Sequence, residues 1–460
     1  MMTATEINAL VEAQRAFFRT RVTFERSFRK QALKRLRDAL IEQEADLAAA
    51  LCADLGKSLE EAYMSEIGML RSSVSDALRH LRSWMKPRRV AAPLAHFPSR
   101  CRVLTEPYGL SLVISPWNYP LLLSLDPLIS SIAAGNCCII KCSEYAPATS
   151  KAIAELIASL YPPEYVAVVE GDAEQSRLLL DERFDCIFFT GGARVGRIVM
   201  EAAARHLTPV TLELGGKSPC IIDKSANIEL AARRIAFGKI LNAGQTCVAP
   251  DCVLLPRGSE EAFAEAFRTA VAGMLGDEPC LNSRYVHIIN RRHFDRLLGL
   301  LASGRVLSGG ASDAESLHIE PTLLGDVSPE SPCMQEEIFG PLLPLIPYDS
   351  LSDAEAFVLS RPKPLACYIF ASERSIEHRL LERLSFGGGC VNDTIVHLAV
   401  PGLPFGGVGE SGMGAYHGKA GFDTFSHRKS VLRKACWLDL PFRYHPFTKL
   451  SLRMLRLFMR

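Results

Sequence analysis

Three side chains of this sequence, Cys247, Glu213 and Asn118, are of types that together can act on a carbonyl group. A cysteine thiolate attacks a carbonyl carbon and forms a covalent intermediate. A carboxylate among apolar residues, as Glu213 is between two leucines, has a raised pKa and can take a proton from water. The Asn118 amide and the backbone N–H of Cys247 can donate hydrogen bonds to an oxyanion. The set predicts oxidation of an aldehyde through a thiohemiacetal and a thioester on Cys247, which is hydrolysed with Glu213 as general base.

Each of these residues also has an ordinary structural explanation. Most cysteines are small buried apolar residues, an acid can point outward from an edge strand, and an asparagine between two prolines can satisfy a turn. The chemical interpretation is favoured because one chain supplies the whole set. Protein side chains cannot accept a hydride, so the predicted oxidation also requires a nicotinamide cofactor.

Length, charge and cysteine content limit the class of protein. The chain has 460 residues, of which 48% are hydrophobic, and 52 basic against 51 acidic side chains give a formal net charge of +1. It can therefore bury a large core in two or three lobes, and no overall field favours nucleic acid. Fourteen cysteines without a secretory signal or zinc-type spacing predict a cytoplasmic protein with no metal site.

The pattern of apolar residues predicts the elements that position these side chains. Residues 1–86 have helical spacing, and residues 101–105 have the pattern of a strand in a projecting ribbon. Short apolar strands then alternate with helices, which predicts a parallel sheet covered by helices on both faces. The predicted strands are 110–114, 138–141, 165–169 and 186–189, with helices near 128–134 and 149–160. A second such series runs from 219 to about 370, with strands near 252–255 and 364–370.

The most apolar stretch, residues 121–140, is long enough to resemble a membrane span. Asp126, Pro127 and the turn signal at Gly135-Asn136 interrupt it. We therefore predict a buried helix, turn and strand instead of a span.

With these residues in their local sequences, the chain resembles the aldehyde dehydrogenase superfamily, and within it the class 3 branch for fatty and aromatic aldehydes. The separations of 34 residues from Glu213 to Cys247 and 129 from Asn118 to Cys247 are those of class 3 members. The similarity extends from about residue 10 to 445. The matching segments are 106–110, 116–120, 212–217, 244–250, 336–341, 403–409, 411–418 and 422–428.

The resemblance implies the same roles for Cys247, Glu213 and Asn118, and it implies residues that hold NAD, with NADP as a possible second cofactor. Among these, Lys141 and Glu144 match positions at the adenosine ribose, whereas Glu337 and Phe339 match positions at the nicotinamide ribose. A carboxylate beside a ribose 2′-hydroxyl disfavours a 2′-phosphate, which favours NAD. The implied cofactor contacts are Trp117, Lys141, Glu144, Thr190, Gly191, Gly192, Val195, Gly196, Leu214, Glu337 and Phe339.

The glycine-rich segment 190–196 lacks the G-x-G-x-x-G fingerprint, but it follows a predicted strand and begins a predicted helix, a setting in which backbone N–H groups meet phosphate. Three residues depart from the family pattern. Gly192 replaces a common serine, Cys142 replaces a proline, and Arg194 adds a positive charge that favours NADP. The choice between NAD and NADP is therefore open.

These observations predict an α/β protein with two doubly wound, Rossmann-like lobes and a small β ribbon for oligomerisation. Residues 1–85 and 106–212 would form the NAD(P)-binding domain, 213–428 the catalytic domain, and 86–105 with 429–445 the ribbon. Class 3 resemblance implies a homodimer that pairs through this ribbon.

Residues 446–460 would form a basic amphipathic tail. Lys449, Arg453, Arg456 and Arg460 recur at helical spacing along it and would line one face of a helix. Such a segment can lie on an anionic membrane surface, so a peripheral position at the membrane is an alternative to a purely cytoplasmic one.

The expected substrate is a medium-chain, long-chain or aromatic aldehyde, in view of Tyr119 beside Asn118 and of the class resemblance. Two other functions stay open. One is an acylating dehydrogenase, in which coenzyme A accepts the acyl group, although a thiol acceptor needs no base such as Glu213. The other is a non-catalytic binding or structural protein, which the fold alone permits.

Overall fold

The computed structural model describes residues 1–459. The strands are β1 Arg88–Val90, β2 Ser99–Pro107, β3 Leu110–Ile114, β4 Cys137–Lys141, β5 Val166–Val169, β6 Cys186–Thr190, β7 Val210–Glu213, β8 Pro219–Ile222, β9 Cys252–Pro256, β10 Arg305–Ser308, β11 Ser312–Asp313, β12 His318–Ile319, β13 Thr322–Gly325, β14 Leu342–Tyr348, β15 Ala366–Phe370, β16 Gly388–Val391, β17 Gly412–Met413 and β18 Ser426–Lys434.

The helices are α1 Ala4–Arg19, α2 Arg26–Glu42, α3 Glu44–Leu55, α4 Leu59–Ala62, α5 Gly68–Trp84, α6 Pro120–Ala134, α7 Pro147–Leu160, α8 Ala173–Asp181, α9 Ala193–Ala204, α10 Ile228–Ile240, α11 Glu260–Leu275, α12 Arg291–Leu301, α13 Pro332–Gln335, α14 Leu351–Leu359, α15 Arg374–Arg383, α16 Gly418–Thr424 and α17 Lys449–Phe458. A π-helical turn, Tyr63–Ile67, joins α4 to α5. The predicted opening helical layer is confirmed, because its apolar positions, such as Leu33, Leu36 and Leu40, are buried.

The first sheet has the strand order β17-β7-β6-β3-β4-β5, in which β7 to β5 are parallel. Strands β3, β4 and β6 are fully buried, which explains their continuous apolar sequences. The strand order reverses at β3, because β4 and β5 are added on one side of it and β6 and β7 on the other. Sheets of this type bind ligands in the crevice at the carboxyl ends of the strands, at the point where the order reverses.

The second sheet has the order β10-β13-β14-β9-β8-β15-β16 and is parallel except for β10. The third, a ribbon, is antiparallel with the order β1-β2-β18. Residues 426 to 434 pair with residues 107 to 99 along its whole length. The predicted class, two α/β lobes with a β ribbon, is confirmed.

The predicted domain boundaries stay a prediction, and two elements cross them. Strand β17 and helix α16 lie in the range 213–428, which was predicted as the catalytic domain. However, β17 pairs with β7 in the first sheet, and α16 packs against α5 and α6.

The apolar stretch 121–140 is a buried helix, turn and strand, as predicted. Helix α6 begins at Pro120, earlier than the sequence pattern indicated, because proline is favourable at the first helical position and Pro127 concealed the continuity of the helix. All residues of α6 are buried, and Gly135 ends it with a positive φ of 97°. Within residues 1–459 no helix has the length and apolar character needed to cross a membrane.

The predicted tail helix is present as α17, which a capping box of Thr448 and Ser451 begins. One face of α17 packs against the segment that precedes it, where the rings of Phe442 and Phe458 stack with their centroids 5.7 Å apart. Lys449, Arg453 and Arg456 are exposed on the opposite side. The fourth predicted basic position, Arg460, lies outside the described residues.

Candidate active site

Asn118 lies in the turn between β3 and α6 and is buried. Its amide Nδ2 donates to the carbonyl oxygen of Gln245 at 3.0 Å, which joins the first lobe to the loop that carries Cys247. The next side chain, Tyr119, makes a second link, since its hydroxyl lies 2.7 Å from Oγ1 of Thr246. Asn118 is thus held beside the nucleophile candidate.

Glu213 is the last residue of β7, and it is almost completely buried. Neither carboxylate oxygen has a hydrogen-bond partner within residues 1–459. Burial, which penalises the charged form, raises the pKa of Glu213 well above its usual value of 4.5. The carboxylate form of a residue with such a raised pKa is a stronger base than an ordinary glutamate, which suits it to accept a proton from water at near-neutral pH.

Cys247 follows a strained turn after α10. Asn242 and Ala243 both have φ of 51°, a left-handed conformation that is uncommon for residues other than glycine and often marks functional loops. Burial raises the pKa of the Cys247 thiol, and the nearby carboxylates of Glu337 and Glu213 raise it further. Both effects disfavour the thiolate, so activation of Cys247 calls for a base or a nearby positive charge.

Cys247 is reached by two cavities. One, the inner tunnel, has a volume of about 150 Å³ and is almost wholly apolar. Its walls include Tyr119, Leu122, Phe237, Ile395, Phe405 and Tyr416. An outer cavity of about 340 Å³ shares Met64, Met69, Leu122 and His417 with this tunnel, so the two are adjacent along one path.

The other cavity that Cys247 lines, here called the cofactor cleft, has a volume of about 270 Å³. Ten of the predicted site residues line it: Trp117, Asn118, Thr190, Gly191, Gly192, Glu213, Leu214, Cys247, Glu337 and Phe339. The structure thus brings the three candidate catalytic residues together with most of the predicted cofactor contacts.

The loop from β6 to α9 forms one wall of this cleft and fits a dinucleotide phosphate. The Thr190 hydroxyl is buried without a hydrogen-bond partner in the described part of the chain. A Cβ placed on Gly192 would meet no atom within 4 Å, so the start of the 12-residue helix α9 faces open space. Free N–H groups at a helix start attract phosphate. Gly196 packs closely under this loop, since an added Cβ would lie 2.8 Å from Leu214.

Glu337 and Phe339 also line the cleft. Glu337 packs directly on Gly215, so a side chain at this position would displace the Glu337 carboxylate. Burial raises the pKa of Glu337 to about 8, which makes it a second acid with a raised pKa in the same cleft. Phe339 has a positive φ of 49° and meets the ring of Trp117 edge-on at 5.4 Å.

Four predicted cofactor residues, Lys141, Glu144, Val195 and Gly196, do not line this cleft. Lys141 ends β4, and its Nζ donates to the carbonyl oxygens of Cys142 at 2.6 Å and Gly171 at 2.7 Å. Glu144 Oε2 lies 3.9 Å from the same Nζ and is partly exposed. These positions suit the far, adenosine end of an extended dinucleotide.

Six lining residues of the cleft were not predicted as site residues: Pro116, Leu123, Gly215, His293, Arg296 and Glu336. Of these, His293 and Arg296 lie on α12. Burial lowers the pKa of His293 to about 4, so its ring is neutral, and its buried Nδ1 has no partner among residues 1–459. Arg296 Nη2 donates to the carbonyl oxygen of Ile338 at 2.6 Å. Neither lies in a motif, and only the long-range packing of α12 brings them to the site.

Comparisons with known proteins identify the family of the chain. The model of the aldehyde dehydrogenase family matches residues 1–431. The chain is 46% identical over 435 residues to 4,4′-diaponeurosporen-aldehyde dehydrogenase of Staphylococcus aureus, covering 94% of this chain and 95% of that one. It is 47% identical over 430 residues to aldehyde dehydrogenase family 3 member B1 of Bos taurus, covering 93% and 92%.

Solved structures are similar as well. The substrate-bound state of Staphylococcus aureus AldH superposes with a TM-score of 0.97 at 44% identity, covering all of both chains. An indole-3-acetaldehyde dehydrogenase in complex with NAD+ superposes with a TM-score of 0.85 at 25% identity, covering 94% of this chain and 89% of the other.

Proposed function

Because the chain belongs to the aldehyde dehydrogenase family and is an enzyme that oxidises aldehydes, we propose that it converts them to carboxylic acids through a thioester on Cys247. The observation that carries this proposal is the position of Cys247 between an almost wholly apolar tunnel and a cleft that also presents polar groups, such as Asn118, Glu213 and Glu337. An aldehyde can enter from the tunnel while a nicotinamide occupies the cleft, so both meet at the same sulfur atom.

The reaction then follows from the residues around Cys247. The Cys247 thiol first gives its proton to a base, either water or a carboxylate of the cleft, and the thiolate sulfur then adds to the aldehyde carbon. The resulting oxyanion accepts hydrogen bonds from the Asn118 amide and the Cys247 backbone N–H. A nicotinamide cofactor, when bound, supplies the hydride acceptor. The thioester left on Cys247 is hydrolysed by a water molecule whose proton passes to Glu213, which releases the acid and the free thiol.

The apolar inner tunnel supports a medium-chain, long-chain or aromatic substrate. Its walls offer almost no polar atoms near Cys247, so binding relies on burial of apolar surface. The adjacent outer cavity gives additional room for a tail. One relative is named for 4,4′-diaponeurosporen-aldehyde, and we propose that this chain also takes aldehydes with extended apolar tails.

The test is NADH formation by the purified protein with NAD+ and octanal, with coenzyme A omitted. Sustained turnover is expected, because Glu213 can activate water. A single burst that only coenzyme A converts to turnover would favour the acylating reaction, and no reaction with any aldehyde would favour a non-catalytic role.

For the cofactor we propose NAD over NADP on the basis of Glu144. We expect Glu144→Ala to raise kcat/KM for NADP+ relative to NAD+ about 5-fold to 10-fold, because a like charge in water near a phosphate costs about 1 kcal/mol. Glu155→Ala, which removes an exposed carboxylate on α7, serves as the matched control. An unchanged ratio in Glu144→Ala would remove this residue from cofactor selection.

We propose that two copies of the chain pair through the ribbon. Strand β18 is exposed along most of its length, with Val431 at 42% and Leu432 at 47% exposure, and such an edge is suited to pairing. Light scattering should give twice the mass of one chain. A monomeric mass would contradict this arrangement.

The ribbon and tail also carry a local charge that the net charge conceals. Residues 86–105 and 429–460 contain 13 of the 52 basic and one of the 51 acidic residues. On α17, exposed apolar side chains flank the basic stripe, with Leu450 at 66% and Leu457 at 61% exposure. We therefore propose that the tail rests on anionic membranes, whose surface attracts basic residues.

Deletion of 447–460 is expected to abolish co-sedimentation with phosphatidylserine-containing vesicles and to leave turnover of octanal unchanged. Replacing Lys449, Arg453 and Arg456 together with glutamine should weaken binding on the order of 100-fold, at about 1 kcal/mol for each charge. Equal co-sedimentation of the full chain and the truncated chain would contradict the proposal. The cytoplasmic location itself stays a prediction.

A further inference from the structure

Behind the candidate oxyanion site lies a buried polar network that the reaction steps above do not use. Lys57 and Glu66 form an ion pair at 2.6 Å, and both side chains are 0% exposed. Lys57 also donates to the backbone oxygen of Asn118 at 3.3 Å and lies 4.0 Å from the centre of the Tyr119 ring. Lys57 thus touches both Asn118 and Tyr119, which line the cavities at Cys247.

Glu66 fixes the start of α6, the helix that follows Asn118. Its second carboxylate oxygen accepts the backbone N–H groups of Leu121 and Leu122, both at 2.9 Å. Such N–H groups have no partner within the helix, so the carboxylate caps it and determines where the preceding turn lies. Glu66 is placed inward by the π-helical turn 63–67, a feature that is frequent at functional sites.

The loop before Cys247 is held from the same segment. Glu61 accepts the backbone N–H of Asn242 at 2.7 Å, where the chain has its left-handed conformation. The Asn242 side chain in turn donates to the backbone oxygens of Asn118 at 2.8 Å and Gln245 at 3.0 Å. Because Asn118 Nδ2 bonds to that same oxygen of Gln245, the two halves of the oxyanion site share one set of hydrogen bonds.

Stability alone does not account for this arrangement. Removing two charges from water offsets most of the attraction between them, and well-packed apolar residues would often serve as well. A strained loop, by contrast, persists only where its surroundings fix it.

We propose that Glu61, Lys57, Glu66 and Asn242 are positioning residues, which hold the Asn118 amide and the Cys247 backbone N–H at the separation that an oxyanion requires. This inference rests on the proposed function, because it concerns the same tetrahedral intermediate. The segment 57–69 has a second role, since Met64 and Met69 on it line the inner tunnel. One stretch of chain therefore shapes the path of the aldehyde and fixes the groups that receive its oxygen.

The test is a set of substitutions at Glu61, which is only partly buried. Glu61→Ala is expected to lower the rate of the first NADH burst about 10-fold to 100-fold with KM for octanal changed less than about twofold, since small misplacement of catalytic groups has effects of this size. Glu61→Gln keeps an oxygen that accepts the Asn242 N–H and should restore most of the rate. Glu60→Ala removes the neighbouring exposed carboxylate and should leave the rate unchanged.

A double-mutant cycle separates positioning from general destabilisation. Asn118→Ala alone should lower the burst rate about 10²-fold to 10³-fold. In that background Glu61→Ala should cost less than about threefold, because the group it positions is absent. Full additivity of the two losses, or equal damage in Glu61→Gln and Glu61→Ala, would overturn the inference.

Asn242→Gly provides an independent variant if Glu61→Ala does not fold. Glycine tolerates the left-handed conformation and keeps the N–H to Glu61, while the donors to Asn118 and Gln245 are lost. A loss in burst rate of about 10-fold or more is expected, and an unchanged rate would overturn the inference. Absence of aldehyde oxidation in the unmodified protein would instead refute the proposed function, so the two failures are distinguishable.

Discussion

Cys247→Ala is expected to lower kcat for octanal oxidation by roughly 10⁴-fold to 10⁶-fold, the range for loss of a residue from a catalytic group that acts as a unit. The physical reason is that the methyl group cannot form the covalent adduct from which hydride leaves. Cofactor binding should persist, because the other residues that line the cleft are unchanged. NADH formation measures the first effect, and quenching of Trp117 fluorescence by the bound dinucleotide measures the second.

The matched control is Cys280→Ala, which removes a partly exposed thiol in a turn after α11. Its turnover should equal that of the unmodified protein. Turnover in Cys247→Ala within about tenfold of normal would rule out a covalent mechanism at this residue.

Glu213→Gln should separate the two halves of the reaction. We expect one equivalent of NADH per active site and then a steady rate reduced about 10²-fold to 10⁴-fold, the usual contribution of a general base. Glutamine has nearly the same shape but cannot accept a proton from water, so the thioester accumulates. Rapid-mixing measurement of NADH gives both the burst and the steady rate.

The pH dependence of the steady rate has a definite sign. Only the charged form of Glu213 accepts a proton, and burial raises the pKa of this acid well above 4.5. The rate of hydrolysis should therefore decline as the pH falls through that raised pKa. This decline at low pH should be absent in Glu213→Gln.

Glu337 tests the assignment of the base. Its pKa is raised to about 8 in the same cleft, so it is the other candidate on physical grounds. If Glu337→Gln stalls after one burst while Glu213→Gln turns over normally, the role of base belongs to Glu337.

The sequence contained most of the information about the strands and the chemical groups. Parallel strands buried on both faces leave continuous apolar runs, so β3, β4 and β6 were predictable within one residue at each end. Cys247, Glu213 and Asn118 were identifiable because their local sequences are unusual. That they line one cleft agrees with the prediction, whereas their catalytic roles await the variants above.

The groups that support the site were not predictable in this way. Lys57, Glu61 and Glu66 resemble ordinary charges of a surface helix, and only tertiary packing turns them inward toward Asn118 and Asn242. His293 and Arg296 reach the cleft through the placement of α12. The tunnel is likewise assembled from segments more than 300 residues apart, from Met64 to His417, so no local pattern describes it.

The position of Cys247 between two cavities has a kinetic consequence. A compound that fills the inner tunnel should compete with the aldehyde and leave access of the dinucleotide unaffected, while a compound in the cofactor cleft should show the converse pattern. Both can be present at once, so their combined inhibition should fit independent occupancy. Selective inhibitors of this enzyme should therefore be sought for the tunnel, where the shape of the aldehyde, and not the shared shape of the dinucleotide, determines what binds.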